Sequence, residues 1–285
     1  MKKFDHFLVL LSQLSFYLFC IFFIVTIFFK LNFFNHEWLI PSSPSNYATQ
    51  VKEEQYNPDL LFINSLPKLE KYFLHEIEKQ GLTQIEAIYF ADQLLRDRFY
   101  HKDRVISIAD NWSLYLFNFI SKYRNNTLYI SSLDPSDILK SEYALCNQQA
   151  LIFQQLMRII GTEYQSVLFT IPRNPNVFGH FASAARVGES WFFVDTNLEP
   201  SYQQKDASIL PRLLDGDEKL FNTLYSEYAV TKIPAGAISV SSLNQNPAFY
   251  GALLQKTTYI VSNYFWLMAL FFYIACRLFT KKVNV

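Results

Sequence analysis

At 285 residues, with 25 basic and 25 acidic side chains, the chain has length for one sizeable domain plus further segments, and no net field favouring nucleic acid or an anionic surface. Aromatic residues make up 18% and there are only 7 glycines, a composition too apolar for disorder and too glycine-poor for a dinucleotide- or phosphate-loop enzyme. No internal repeat or low-complexity tract is present, and much of the apolar excess lies at the two ends.

Residues 7–29 read FLVLLSQLSFYLFCIFFIVTIFF without a charge. About 20 such residues suffice for a helix to cross a bilayer core. A cleaved signal peptide is the alternative, but the apolar run is too long for one and no small-x-small site follows Phe29 before Lys30. Residues 1–30 are therefore expected to be a retained transmembrane helix, and 31–60 a linker punctuated by Pro, Ser and Asn. Ser65-Leu-Pro opens a helix that stops at Gly81, and Thr83-Gln-Ile-Glu86 is a capping-box pattern starting a second, through about Tyr100. Asp110 caps a third, the aromatic stretch WSLYLFNFI. These three predict a helical subdomain over 61–127.

A core domain is expected over 128–256. After a polar break at 124–127 come a strand-like piece at 128–130 and a turn of helix following Asp134-Pro135. Then CNQQALIFQQLMRIIG, from Cys146 to Gly161, places Ala150, Phe153, Met157 and Ile160 on one helical face, with Gly161 as the stop. Residues 163–171 alternate as a strand. Residues 180–187 and 190–195 flank Gly188-Glu189, a two-residue hairpin turn. A helix packed on an antiparallel sheet, preceded by helices, is an α+β fold.

Residues 257–276 read TTYIVSNYFWLMALFFYIAC, again uncharged. A buried core helix is the alternative, but the terminal position and basic flank favour a second transmembrane helix over 257–279, leaving 280–285 as a cytoplasmic tail. Lys2 and Lys3 precede the first span, Arg277, Lys281 and Lys282 close the second, and only Lys30 and Lys256 flank the inner ends. Positive charge marks the cytoplasmic side, so both termini are expected there and the intervening domain outside the membrane.

Cys20 and Cys276 lie in or beside the spans, which leaves Cys146 as the one thiol of the intervening domain. In an oxidising compartment a lone thiol is a liability unless it is buried or useful. Cys146 opens its helix, where unpaired N–H groups and the dipole stabilise an anion; thiolate is the attacking form of cysteine. The hairpin supplies a second test. A two-residue turn sets Val187 opposite Ser190, so His180 faces Asn197 and Asp195 faces Ala182. His180 and Asp195 then share a side of the sheet as diagonal neighbours roughly 7–8 Å apart. An aspartate there fixes the imidazole tautomer and leaves the other nitrogen for the thiol. A slip of one residue would put the pair on opposite faces.

The order Cys, His, Asp, with Cys146-Asn-Gln-Gln-Ala150, Arg158-Ile-Ile-Gly161, Gly179-His180 and Trp191-Phe-Phe-Val-Asp195-Thr196, resembles the transglutaminase-like superfamily. The clear resemblance runs over about 134–200. A fainter one, to membrane-associated bacterial members, takes in Arg98-Phe99, Asn111-Trp112 and Glu199-Pro200-Ser201-Tyr202. It implies a papain/transglutaminase-like core with Cys146 as nucleophile, His180 as base and Asp195 as orienting acid. It also suggests Trp112 as an indole helping to hold an oxyanion, against the alternative of a core aromatic. Gln149, one turn beyond Cys146, is a candidate site-lining amide. The sequence departs from the pattern at Leu145, at Phe181-Ala182 after the histidine, and at Thr196-Asn197 after the aspartate.

The expected chemistry is acyl transfer through a Cys146 thioester, resolved by water or by an amine. The expected substrate is a peptide, protein or glycan-linked amide at the outer membrane face, with neighbouring membrane proteins as further partners. No CxxC, HExxH or carboxylate cluster suggests a metal, and no cofactor or nucleic acid is expected. The rival reading is an inert module of the same fold that serves assembly of a membrane complex.

Overall fold

The computed structural model describes residues 2–31, 56–122, 130–172, 177–197, 206–224 and 238–283. These fall into two compact units, divided at 43/44, 104/105, 131/132 and 249/250.

The first unit holds three helices: α1 (Lys2–Lys30), α4 (Trp112–Lys122) and α9 (Phe249–Val283). Helices α1 and α9 are long and apolar enough to cross a membrane, over His6–Lys30 and Phe249–Thr280. Their large side chains are widely exposed: Ile24 is 64% accessible and Phe271 75%. Aromatic rings join the three helices, with Trp112 stacked on Phe29 and Phe22 against Phe265.

The second unit carries α2 (Leu66–Gln80), α3 (Gln84–Arg98), α5 (Pro135–Ile138), α6 (Cys146–Ile159), α7 (Ile209–Leu214) and α8 (Glu218–Leu224). Its strands are β1 (Tyr164–Pro172), β2 (Val177–Val187), β3 (Ser190–Val194) and β4 (Ile238–Val240). They make one antiparallel sheet in the order β3-β2-β1-β4. Local chemistry explains the boundaries. Thr83 and Glu86 cap α3 reciprocally, and α2 ends on Gly81 at φ +62°, a conformation that favours a residue without Cβ.

Two apolar layers hold the sheet. Leu69 and Phe73 of α2, Ile88 and Leu95 of α3, and Ile152, Phe153 and Leu156 of α6 pack with Tyr164, Ala185 and Val194. Ile209, Leu210 and Leu213 of α7 and Leu220, Phe221 and Leu224 of α8 pack with the alternate residues Val167, Phe169, Ala182, Ala184 and Phe193. Burying each such Leu or Phe side chain stabilises the fold by about 1.5–3 kcal/mol.

The helical subdomain expected over 61–127 is not a unit. Helices α2 and α3 share a core with α6, whereas α4 belongs with α1 and α9. The reason is polar as well as apolar: the Asn111 amide donates to Gln255 O and Thr258 Oγ1 of α9, each at 3.0 Å. The strand-like piece at 128–130, most of the linker 31–60 and residues 199–202 lie largely or wholly outside the described residues. Helices α7 and α8 and strand β4 go beyond the sequence reading.

Candidate functional site

Cys146 is the first residue of α6. Leu145 occupies the N-cap with extended backbone and offers no side-chain acceptor, so the first-turn N–H groups are left to stabilise negative charge. The approach to this turn is held by Gln148, which is fully buried. Its Oε1 accepts from the N–H of Leu145 and of Arg104, both at 3.0 Å, and its Nε2 donates to the carbonyls of Arg104 and Ser132 at 2.9 and 3.0 Å. Four bonds from one amide tie the helix start to two flanking chain segments. Further along, Gln154 Nε2 donates to Ser166 Oγ and Ser183 Oγ, fixing α6 on β1 and β2.

His180 and Asp195 come from the β2–β3 hairpin. The observed pairs run from Val187 with Ser190 to Ser183 with Val194, the register that a two-residue turn implies. Gly188 turns the chain at φ +60°. Continuing that register sets Asp195 opposite Ala182 and Asn197 opposite His180. His180 Nε2 and Asp195 Oδ2 are 2.6 Å apart, both side chains buried. The other carboxylate oxygen accepts from the Asn197 N–H at 3.1 Å.

The imidazole is also hydrogen-bonded to Cys146, whose side chain is half-buried. With Nε2 engaged by Asp195, Nδ1 is the nitrogen left for sulfur. Phe169 flanks the ring, its centroid 5.6 Å away. Burial by itself pushes the imidazole's pKa down. The charge and hydrogen bond of Asp195, together with the contact to Cys146, outweigh that and raise it from the ordinary 6.5 to about 10. A proton held on His180 at neutral pH faces the sulfur as a counter-charge.

The two further sequence candidates, Trp112 and Gln149, have other partners. Trp112 is 7% accessible and its indole N–H donates to Ser262 O at 3.1 Å, so it is a packed aromatic of the first unit rather than an open donor. Gln149 is buried and donates to Ala144 O at 3.1 Å, bracing the segment before Cys146. Its Oε1 has no hydrogen-bond partner. His75 is exposed and His101 half-buried.

Two residues were overlooked in sequence. Gln148 carried a signal, since Gln at the third helical position commonly reaches back to the N-cap N–H. Asn197 carried another: Asp-x-Asn favours a turn in which the aspartate accepts from the second following N–H. No family model matches the chain, and no curated protein matches its sequence.

Proposed function

We propose that this chain is a membrane-anchored thiol acyl-transfer enzyme of the transglutaminase-like kind. The observation that carries the reading is one continuous contact chain, from a half-exposed cysteine on an uncapped helix start, through a buried imidazole, to a buried carboxylate.

The Cys146 thiolate attacks the carbonyl carbon of an amide, forming a C–S bond, and the carbonyl oxygen takes the negative charge beside the N–H groups of the first turn of α6. The imidazolium of His180 gives its proton to the departing nitrogen as the C–N bond breaks, leaving a thioester. Water or an amine then attacks the thioester, with neutral His180 taking the nucleophile's proton, and the thiolate leaves. Asp195 holds the ring in place throughout. The substrate class is a peptide, protein or glycan-linked amide. The two apolar terminal helices span a bilayer in this reading, with both termini cytoplasmic and the thiol site outside, near neighbouring membrane proteins.

The test is intact-mass analysis of the full chain, in detergent, after incubation with an activated acyl ester. An acyl adduct on Cys146 that decays with time and is lost in Cys146→Ala and His180→Asn supports the proposal. Absence of any adduct on folded wild type, with His180 indifferent to alkylation of the thiol, replaces it with the assembly-module reading.

A further inference from the structure

Helix α4 is built inside out for a water-exposed helix. No charge falls between Asp110 and Lys122. Among residues 111–120 every exposed side chain is apolar: Leu116 at 52%, Phe117 at 45%, Phe119 at 48% and Ile120 at 55%. The polar groups turn inward instead. Asn111 reaches Gln255 O and Thr258 Oγ1, Ser113 Oγ donates to Thr258 O at 2.8 Å, and the Ser113 N–H donates to Ser262 Oγ at 3.0 Å. Thr26 of α1 and Trp112 both donate to Ser262 O. A helix in water shows the opposite arrangement, with its polar groups out and its apolar stripe in.

We propose that α4 is embedded in the lipid leaflet as a re-entrant element, with acyl chains as the occupant of its apolar face. This rests on the reading that α1 and α9 span a bilayer. Three observations favour lipid over a protein partner. The exposed face belongs to the same unit as two helices whose own exposed surfaces are long and rich in large apolar side chains. The 11 residues of α4 amount to about 16 Å of helix, half the roughly 30 Å of a hydrocarbon core, so it cannot cross. Its segment also closes on itself at the base: Val105 bridges Ser131, and the Ile106 N–H donates to Ile130 O at 3.0 Å. A chain that enters and leaves at one point, with the polar groups of Asn111, Trp112 and Ser113 paired inward, goes toward meeting the demand that hydrocarbon makes on a polypeptide. The bonds to residues 255–262 set α4 beside the N-terminal half of α9, and the stacking of Trp112 on Phe29 sets it beside the C-terminal end of α1.

Site-directed spin labelling of the full chain in phosphatidylcholine/phosphatidylglycerol vesicles tests this, in a Cys20→Ala, Cys146→Ser, Cys276→Ala background. Nitroxides go on Ile120→Cys or Leu116→Cys of α4, on Phe271→Cys of α9, and on Glu189→Cys in the hairpin turn, whose side chain is 98% accessible. Collision with oxygen relative to a water-soluble nickel chelate should be several-fold higher at Ile120, Leu116 and Phe271 than at Glu189. Nickel access at both α4 sites, with Phe271 in lipid, overturns the embedded helix and leaves the spans standing. Shielding of both α4 sites from both quenchers means a protein covers the face, and also overturns it. Nickel access at Phe271 as well removes the membrane reading itself.

Discussion

In this protein the ring Nε2 of His180 lies 2.6 Å from Oδ2 of Asp195, and neither side chain is open to solvent. A buried pair of this kind makes two demands at once. It must keep the Nε2 proton between ring and carboxylate, and it must lose neither partner, because an isolated buried charge is expensive.

The first prediction concerns pH. His180 binds its proton more tightly folded (about 10) than as an ordinary histidine at about 6.5. Its contribution to stability is therefore full below the lower value and is lost as pH rises through the upper one. The melting temperature of the detergent-solubilised chain should fall between about pH 6.5 and 10 for this reason. Asp195→Asn should flatten that slope, and the His180 ring resonances, followed by NMR, should titrate at lower pH in the variant. An unchanged slope in Asp195→Asn would refute the coupling.

Removing one partner should cost more than changing the charge. His180→Ala leaves the Asp195 carboxylate buried with one hydrogen bond fewer, and is expected to destabilise the unit by about 3–5 kcal/mol. The double variant His180→Leu, Asp195→Leu should recover part of the loss. Urea unfolding monitored by Trp fluorescence measures both.

Reactivity of the thiol should depend on the imidazole. Iodoacetamide should alkylate Cys146 at near-neutral pH at least ~10-fold faster in wild type than in His180→Asn, where no cation faces the sulfur. Asp195→Asn should give an intermediate rate by loosening the ring. Equal rates in all three proteins would remove the support for a catalytic relay.

Gln148 should behave as a positioning residue. Gln148→Ala takes the side-chain partner from the N–H groups of Arg104 and Leu145 and from the Ser132 carbonyl, while the Arg104 carbonyl keeps the Ser132 N–H, at a cost of about 3 kcal/mol. Gln148→Glu keeps the acceptor for the two N–H groups but loses the donor to the two carbonyls. With a buried carboxylate oxygen set against two carbonyl oxygens, it should be at least as destabilising as Gln148→Ala, and its negative charge should slow Cys146 alkylation. A wild-type melting temperature in Gln148→Ala would show that the four bonds contribute little.

The hairpin was legible in sequence because strand periodicity leaves few choices. Alternation of two, a Gly at a two-residue turn and an apolar inner face admit one register, and that register brings His180 and Asp195 to one side. The Cys146 helix was legible for a similar reason, its apolar face recurring at helical spacing up to Gly161. The placement of α4 was not, because an apolar stripe states that water is excluded and not what excludes it. Leu114 and Tyr115 are buried by protein while Leu116 and Phe117 are exposed, and no local pattern separates those pairs. Strand β4 escaped because three residues are too few to carry a period, and its partner β1 lies some 70 residues earlier.

The sheet order β3-β2-β1-β4 also bears on how the protein forms. Helix α6 and strands β1, β2 and β3 follow one another directly in the chain and are neighbours in space, and the His180–Asp195 contact spans only 15 residues. Short loops close quickly, and contacts of low sequence separation form early. The outer edge of β1 is different, since its partner strand begins only at Ile238. During synthesis from the N-terminus, β1 therefore waits with unpaired backbone groups after the site residues have met. That interval, ending when residues 238–240 add to the edge, is when the nascent chain is most open to pairing with another strand.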